Sequence, residues 1–137
     1  MSADATPGST PDVRSWWDDA VGRTHAVRRT FTRDDLAAHE QLCGDVCGSE
    51  VPEPLVAGLF STLLGVHLPG PGTNYLKQVL RPRRAARAGE ALEAVVEVVR
   101  VVPDKRLVYL VTTCRGEGGD VIAEGEALVL AGGITAP

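Results

Sequence analysis

The segment PLVAGLFSTLLGVHL, residues 54–68, decides the fold because it is apolar around nearly its whole circumference. Proline at position 54 suits the first turn of a helix, where the missing N–H would have no intrahelical partner. The Gly- and Pro-rich stretch PGPGTN, residues 69–74, then ends the helix. A helix with so little polar surface has to be buried on most sides. The rest of the chain must therefore wrap around residues 54–68.

Strand-like segments flank this helix and supply the wrapping. Each is rich in β-branched residues with partial alternation of polar and apolar side chains, and turns rich in polar residues, Gly and Pro separate them. The predicted strands are residues 25–32, 75–82, 90–102, 106–115 and 121–132. One long helix held by an antiparallel sheet buries both the apolar helix and the apolar faces of the strands. The predicted fold class is therefore α+β.

A second, shorter helix is predicted over residues 32–44, between the first strand and the central helix. Thr32 can cap its N-terminus, two aspartates lie in its first turn, and Gly44 can end it. His39 falls toward the polar side of this helix and is expected to be solvated. The stretch CGDVCGSEVPEP, residues 43–54, is rich in Gly and Pro and is predicted to be a loop.

Length and composition restrict the possibilities further. The 137 residues suit one domain over residues 13–137, preceded by a disordered tail, residues 1–12, rich in Pro, Gly, Ser and Thr. A formal net charge of −4 gives no global positive field that would attract nucleic acid. No apolar run is long enough to span a bilayer, and the N-terminus lacks the regions of a signal peptide. We therefore expect a cytoplasmic protein with no membrane contact.

The three cysteines are the residues that could suggest a metal site or a nucleophile. Cys43 and Cys47 are four residues apart, but no second Cys pair or His pair completes a zinc set, so no metal site is predicted. A nucleophilic Cys47 would need a nearby base to form its thiolate, and no histidine lies close to it in sequence. Thiol chemistry is therefore disfavoured.

Three stretches, in the same order along the chain, resemble a known family. They are RRTFTRDDLAAHEQLCGD from residue 28, LVAGLFSTLLGVHLPGPGTNYLKQ from residue 55, and RAGEALEAVVEVVRVVPDKRLVYLVTTCRGEGGDVIAEGEALVL from residue 87. They are similar to the opening, the central helix and the closing strands of the MaoC-like (R)-specific enoyl-thioester hydratases and dehydratases. The resemblance implies a hotdog fold, an antiparallel sheet wrapped around a long central helix. It also implies acyl-CoA or acyl-carrier-protein substrates, no cofactor, and homo- or heterodimers with sites near the interface.

The family's site is usually written G-D-x-N-P-x-H, and without gaps it falls on residues 44–50 of this chain. Asp45 is retained, Cys47 stands in the place of the asparagine, and Glu50 stands in that of the histidine. Two carboxyls can divide acid and base roles around one water. By this hypothesis Asp45 orients or protonates the leaving oxygen while Glu50 takes the C2 proton. The alternatives are that Asp45 caps the end of the short helix and that Glu50 is a solvated loop carboxylate.

The candidate substrate contacts are Cys47 and Gly58, from their overlay on the family's motifs, and Tyr75, which follows the Gly-rich turn. In the family a backbone N–H near the start of the central helix binds the thioester oxygen. The family's HG pair before that helix has no clean counterpart here, and it overlays on residues 52–53 or 57–58. The loop between motif and helix is also shorter than in typical members. For Tyr75 the alternative is strand packing at a dimer seam.

Three functions remain open at this level. The first is an acyl-thioester hydratase or dehydratase with an altered site, in polyketide or fatty-acid-type biosynthesis, where the same C2 deprotonation could serve isomerisation or cyclisation. The second is a non-catalytic hotdog subunit that completes a heterodimer, and the third is a hotdog thioesterase. The basic stretch LRPRRAARAGE, residues 80–90, is either a solvated turn between strands or a landing surface for a phosphate-bearing carrier.

Overall fold

The computed structural model describes residues 15–134, so the predicted tail over residues 1–12 lies outside the described part of the chain. Buried side chains in this range form a hydrophobic core around the central helix. Phe60, Leu63 and Leu64 of that helix are each at most 1% exposed. The predicted burial of the apolar helix is therefore confirmed. None of the helices between residues 15 and 134 is long and apolar enough to cross a membrane.

The elements follow the predicted order of strand, helix, central helix and four strands. In chain order they are a 3₁₀ helix Trp16–Asp19, β1 Thr24–Thr30, α1 Arg33–Cys43, β2 Glu50–Val51, α2 Glu53–Thr62 with a π-helical continuation Leu63–His67, β3 Thr73–Pro82, β4 Ala86–Arg87, β5 Ala91–Val102, a 3₁₀ turn Pro103–Lys105, β6 Leu107–Arg115 and β7 Val121–Ala131.

Five strands form one antiparallel sheet in the order β1-β5-β6-β7-β3. The three middle strands bury alternate side chains, as Leu92, Ala94 and Val96 do on β5. A period of two is what a strand with one buried face requires. The central helix α2 packs on β5, and its π-helical continuation also contacts β1 and β3. The α+β prediction of a sheet around a helix is confirmed.

The helix α1 has the predicted ends. The Asp35 N–H donates to Thr32 Oγ1 at 3.1 Å and the Thr32 N–H donates to Asp35 Oδ2 at 2.8 Å, which is a complete capping box. Gly44 ends the helix with a φ of 79°, a left-handed conformation that glycine adopts without steric cost. These caps fix where the following loop begins.

Two details of the prediction are wrong. The strands β2 and β4 lie in segments predicted to be a loop and a turn, and they pair antiparallel, with Glu50 opposite Arg87. His39 is not solvated, because both of its ring nitrogens are buried, without a hydrogen-bond partner among the described residues. It lies three positions after the buried Leu36, which is the same face of a helix.

Candidate active site

The loop between α1 and α2, residues 44–52, is held at both of its ends. The Gly44 N–H closes the helix by donating to the Glu40 carbonyl oxygen at 2.7 Å. At the other end the β2–β4 pair is extended by the Ala88 N–H, which donates to the Ser49 carbonyl oxygen at 2.8 Å. The loop therefore has a defined path even though it contains little regular structure.

The middle of this loop is bound to the side chain of Glu40. The backbone N–H groups of Cys47 and Gly48 donate to Glu40 Oε1 at 2.9 and 3.2 Å, and Cys47 Sγ donates to the same oxygen at 3.3 Å. The hydrogen bond from the Cys47 backbone is the main cause that lowers the pKa of Glu40. Burial and the hydrogen bond to Glu40 raise the pKa of the Cys47 thiol. Cys47 is therefore held as a thiol, which disfavours a nucleophilic role.

A cavity of about 280 Å³ lies between this loop, the start of α2 and the ends of β3 and β7. Its apolar wall includes the buried Val51, Val56 and Ile122. Two carboxylates, Glu50 and Glu53, also line it, and neither has a hydrogen bond or ion pair with any residue in the described range. A pocket with an apolar wall and a few polar groups is the usual form of a small-molecule site.

The structure brings some of the predicted site residues together and leaves others apart. Cys47 and Glu50 line the cavity. Asp45 is exposed next to the lining residue Val46, and within residues 15–134 its side chain has no hydrogen bond or ion pair. Gly58 and Tyr75 are not among the lining residues of the cavity. Their roles in substrate binding, and that of Asp45 in catalysis, stay predictions.

Glu53, which the sequence placed only in one of two overlays of the family's HG pair, also lines the cavity. It is the first residue of α2, and its side chain lines the cavity at that end of the helix. The Leu55 N–H donates to the Pro52 carbonyl oxygen at 3.0 Å, and Pro54 has no N–H. Of the first three residues of the helix, Glu53 therefore has the N–H that no other described residue accepts from, at a place where the helix dipole favours negative charge.

Most of the basic stretch, residues 80–90, is neutralised by carboxylates. Arg81 pairs with Glu126 and Arg83 with Glu124. Arg84, which lines the cavity, donates to both Glu90 and Asp120 at 2.6–3.1 Å. The arrangement favours a braced turn over a phosphate-binding surface, because three of the guanidinium groups already have anionic partners.

Replacing Glu90 by glutamine should lower the free energy of unfolding by about 1–3 kcal/mol at neutral pH, because its bonds to charged Arg84 are weakened. Glu90 is only 14% exposed, and hydrogen bonds from Arg84 lower its pKa to about 2. Since the pKa is depressed in the folded state, the stabilisation is present above the ordinary carboxyl value and is lost as pH falls through about 2. Urea unfolding at pH 7 and pH 3 measures both effects.

The matched control for this prediction is Glu97→Gln on β5, the strand that begins directly after Glu90. Glu97 is exposed and has no hydrogen bond or ion pair with the rest of the described chain. Its replacement should change stability by less than about 0.5 kcal/mol. An equal loss for Glu90→Gln and Glu97→Gln would contradict a specific role for the Arg84–Glu90 pair.

The antiparallel sheet packed on a central helix, with a cavity at the start of that helix, defines a hotdog-fold protein. The solved structure of an (R)-hydratase from A. caviae, involved in PHA biosynthesis, superposes with a TM-score of 0.75 and 31% identity, covering 80% of this chain and 94% of that one. The chain is 43% identical over 128 residues to an (R)-specific enoyl-CoA hydratase of Rhodospirillum rubrum, which covers 82% of this chain and 88% of the relative.

A third similar protein is a 3-hydroxybutyryl-CoA dehydratase of Methylorubrum extorquens. It is 33% identical over 136 residues, which is 87% of this chain and 86% of the relative. No model of a protein family matches the chain. Identities of 33% and 43% over more than four fifths of the chain show which family it belongs to. The chain belongs to the MaoC-like (R)-specific enoyl-CoA hydratase family.

Proposed function

We propose that this protein catalyses the reversible addition of water to the C2–C3 double bond of an enoyl thioester. The observation that carries the proposal is the carboxylate of Glu50, which has no partner among residues 15–134, on an apolar-walled cavity at the start of α2. Relatives with matching length are named enoyl-CoA hydratase and 3-hydroxybutyryl-CoA dehydratase. A carboxylate beside an apolar cavity is the minimum that proton transfer to and from an acyl chain requires.

In the dehydration direction each group has one task. The Glu50 carboxylate accepts the C2 proton, and the electron pair of the C2–H bond forms the C2–C3 double bond. The C3–O bond breaks as the leaving oxygen takes a proton from the Asp45 carboxyl in its acid form and departs as water. The proton held by Glu50 then passes back to Asp45 through solvent before the next turnover. The Glu53 N–H donates to the thioester oxygen, on which negative charge develops. The hydration direction reverses these steps.

The substrate is an acyl chain carried on CoA or on an acyl carrier protein, and a place in polyketide or fatty-acid-type biosynthesis would supply it. A homo- or heterodimer is part of the proposal. It is supported by the edge strand β3, where Tyr75 and Leu76 are exposed and the outer hydrogen-bonding edge has no strand partner in the described residues. A cytoplasmic location fits the exposed free thiol of Cys43.

The test is an assay of the purified protein alone with crotonyl-CoA and 3-hydroxybutyryl-CoA. Loss of the enoyl absorbance, with formation of the 3-hydroxyacyl product, is the expected result. Release of free CoA thiol without hydration would instead identify a thioesterase. Absence of any turnover on these thioesters, and on the corresponding acyl-carrier-protein substrates, would reject catalysis by this chain on its own.

A second candidate function is a non-catalytic hotdog subunit that stabilises a catalytic sister protein. It is favoured by the exposed position of Asp45 outside the cavity lining and by Pro54, which removes an N–H from the helix start. This candidate predicts a protein that is silent alone and that forms a heterodimer with a hotdog protein carrying the intact G-D-x-N-P-x-H motif. Co-expression followed by sedimentation and the same assay separates the two candidates.

A further inference from the structure

The short loop between α1 and α2 has an anchor in its middle that comes from the helix before it. The ends of the loop are fixed by the Gly44 cap and by the β2–β4 pair. Between them, residues 45–48 include an exposed aspartate, an 89% exposed valine and a glycine with a φ of 59°. Such a segment has little apolar burial of its own to hold it in place.

Three of the hydrogen bonds that hold this segment end on a single side-chain oxygen. The Cys47 N–H, the Gly48 N–H and the Cys47 thiol all donate to Glu40 Oε1. Glu40 Oε2 has no hydrogen bond in the described structure. The lowered pKa of Glu40 keeps this acceptor ionised at neutral pH, and bonds to an ionised acceptor are shorter and stronger than neutral ones.

The position of Glu40 on α1 explains how it reaches the loop. It lies four residues after the buried Leu36, so it shares the inward face of the helix, and its side chain is half-buried. The Cys47 thiol also lies 3.8 Å from the Leu36 carbonyl oxygen, which brings the loop back along the same face. Glu40 therefore stands between the rigid helix and the residues that line the cavity.

We propose that Glu40 is a positioning residue that clamps the shortened loop, so that Glu50 is presented to the cavity and Asp45 to its rim. The catalytic part of this inference rests on the proposed function, whereas the clamp itself does not. All three hydrogen bonds end on Glu40 Oε1. The clamp therefore needs an acceptor oxygen at this distance from α1, and a negative charge placed elsewhere would not replace it. Glutamine can supply that acceptor, while alanine removes it and aspartate is one methylene too short.

The clamp is tested without any enzyme activity by alkylating Cys47 with iodoacetamide. The parent is a Cys43→Ser variant, which lacks the exposed thiol of Cys43. Besides Cys47 it keeps only the thiol of Cys114, which is fully buried. Glu40→Ala and Glu40→Asp in this background should raise the alkylation rate at Cys47 by about tenfold, because the thiol becomes exposed and loses the environment that raises its pKa. Glu40→Gln keeps the acceptor and loses only the charge, which also raises the pKa of the thiol, so its rate should rise far less than in the other two variants. Equal rates in all four proteins would overturn the clamp, and circular dichroism checks that each is folded.

The positioning role is tested by the kinetics of the same variants on the enoyl thioester. Displacing a reacting group by about 1 Å can cost on the order of 10²-fold in rate. Glu40→Ala and Glu40→Asp should therefore lose about that much of kcat with a smaller change in KM, and Glu40→Gln should restore it. A faster alkylation rate with unchanged kcat would overturn the positioning role. If the parent itself has no turnover, the proposed function fails while the alkylation result still decides the clamp.

Discussion

Replacing Glu50 with glutamine should lower kcat for hydration of an enoyl thioester by about 10²–10⁴-fold, the usual contribution of a positioned general acid or base. Glutamine has nearly the same shape but cannot accept the C2 proton. The Glu50 side chain has no hydrogen bond or ion pair with its neighbours in residues 15–134, so the substitution leaves the cavity wall intact. Steady-state kinetics should therefore show a loss confined mainly to kcat, with normal thermal unfolding.

The control lies in the same cavity. Glu53→Gln removes the other lining carboxylate but keeps the backbone N–H that the mechanism uses, so its kcat should stay within a few-fold of the parent. Asp45→Asn, by contrast, should lose activity to an extent comparable with Glu50→Gln, because it removes the acid for the leaving oxygen. If Asp45→Asn and Glu50→Gln both retain full turnover, the assigned roles are wrong. A loss at Glu53 alone would transfer the base to that residue.

The parts of this site that could be predicted from sequence are those that belong to a motif. Cys47 and Glu50 were found because the gapless overlay of G-D-x-N-P-x-H ends on residue 50, and both line the cavity. Glu40 could not be found in that way, since its contact with residues 47 and 48 exists only after Gly44 turns the chain back. Glu53 was reached only as part of one of two overlays of the family's HG pair, and its carboxylate at the cavity was not predicted because the helix was predicted to start one residue later, at residue 54.

The fold was predictable where a period repeats several times. The strands β5, β6 and β7 are nine to twelve residues long, so their alternation is visible in the sequence. The strands β2 and β4 contain two residues each, which is too short for any period, and they form because Val51 and Ala86 are both buried where the strands meet. Local sequence patterns therefore predict the five-stranded sheet but not the β2–β4 pair that contains Glu50.

The second large effect concerns the stability that the central helix gives to the whole domain. Leu64→Ala should lower the free energy of unfolding by about 3–5 kcal/mol, the cost of removing a buried leucine and leaving a cavity. Leu64 is 1% exposed, in the π-helical continuation of α2 that contacts β1, β3 and β5. Urea unfolding at a fixed protein concentration measures the change, since association adds to apparent stability.

The same substitution at an exposed position isolates burial as the cause. Leu42 is 86% exposed on α1, so Leu42→Ala should change the free energy of unfolding by less than about 0.5 kcal/mol. Both variants remove identical atoms from helical residues, so helix propensity contributes about equally to each. A difference below about 1 kcal/mol between the two would mean that Leu64 is not part of a close-packed core, against the cost expected for truncating a buried leucine. In that case burial of the central helix would not be what holds the domain together.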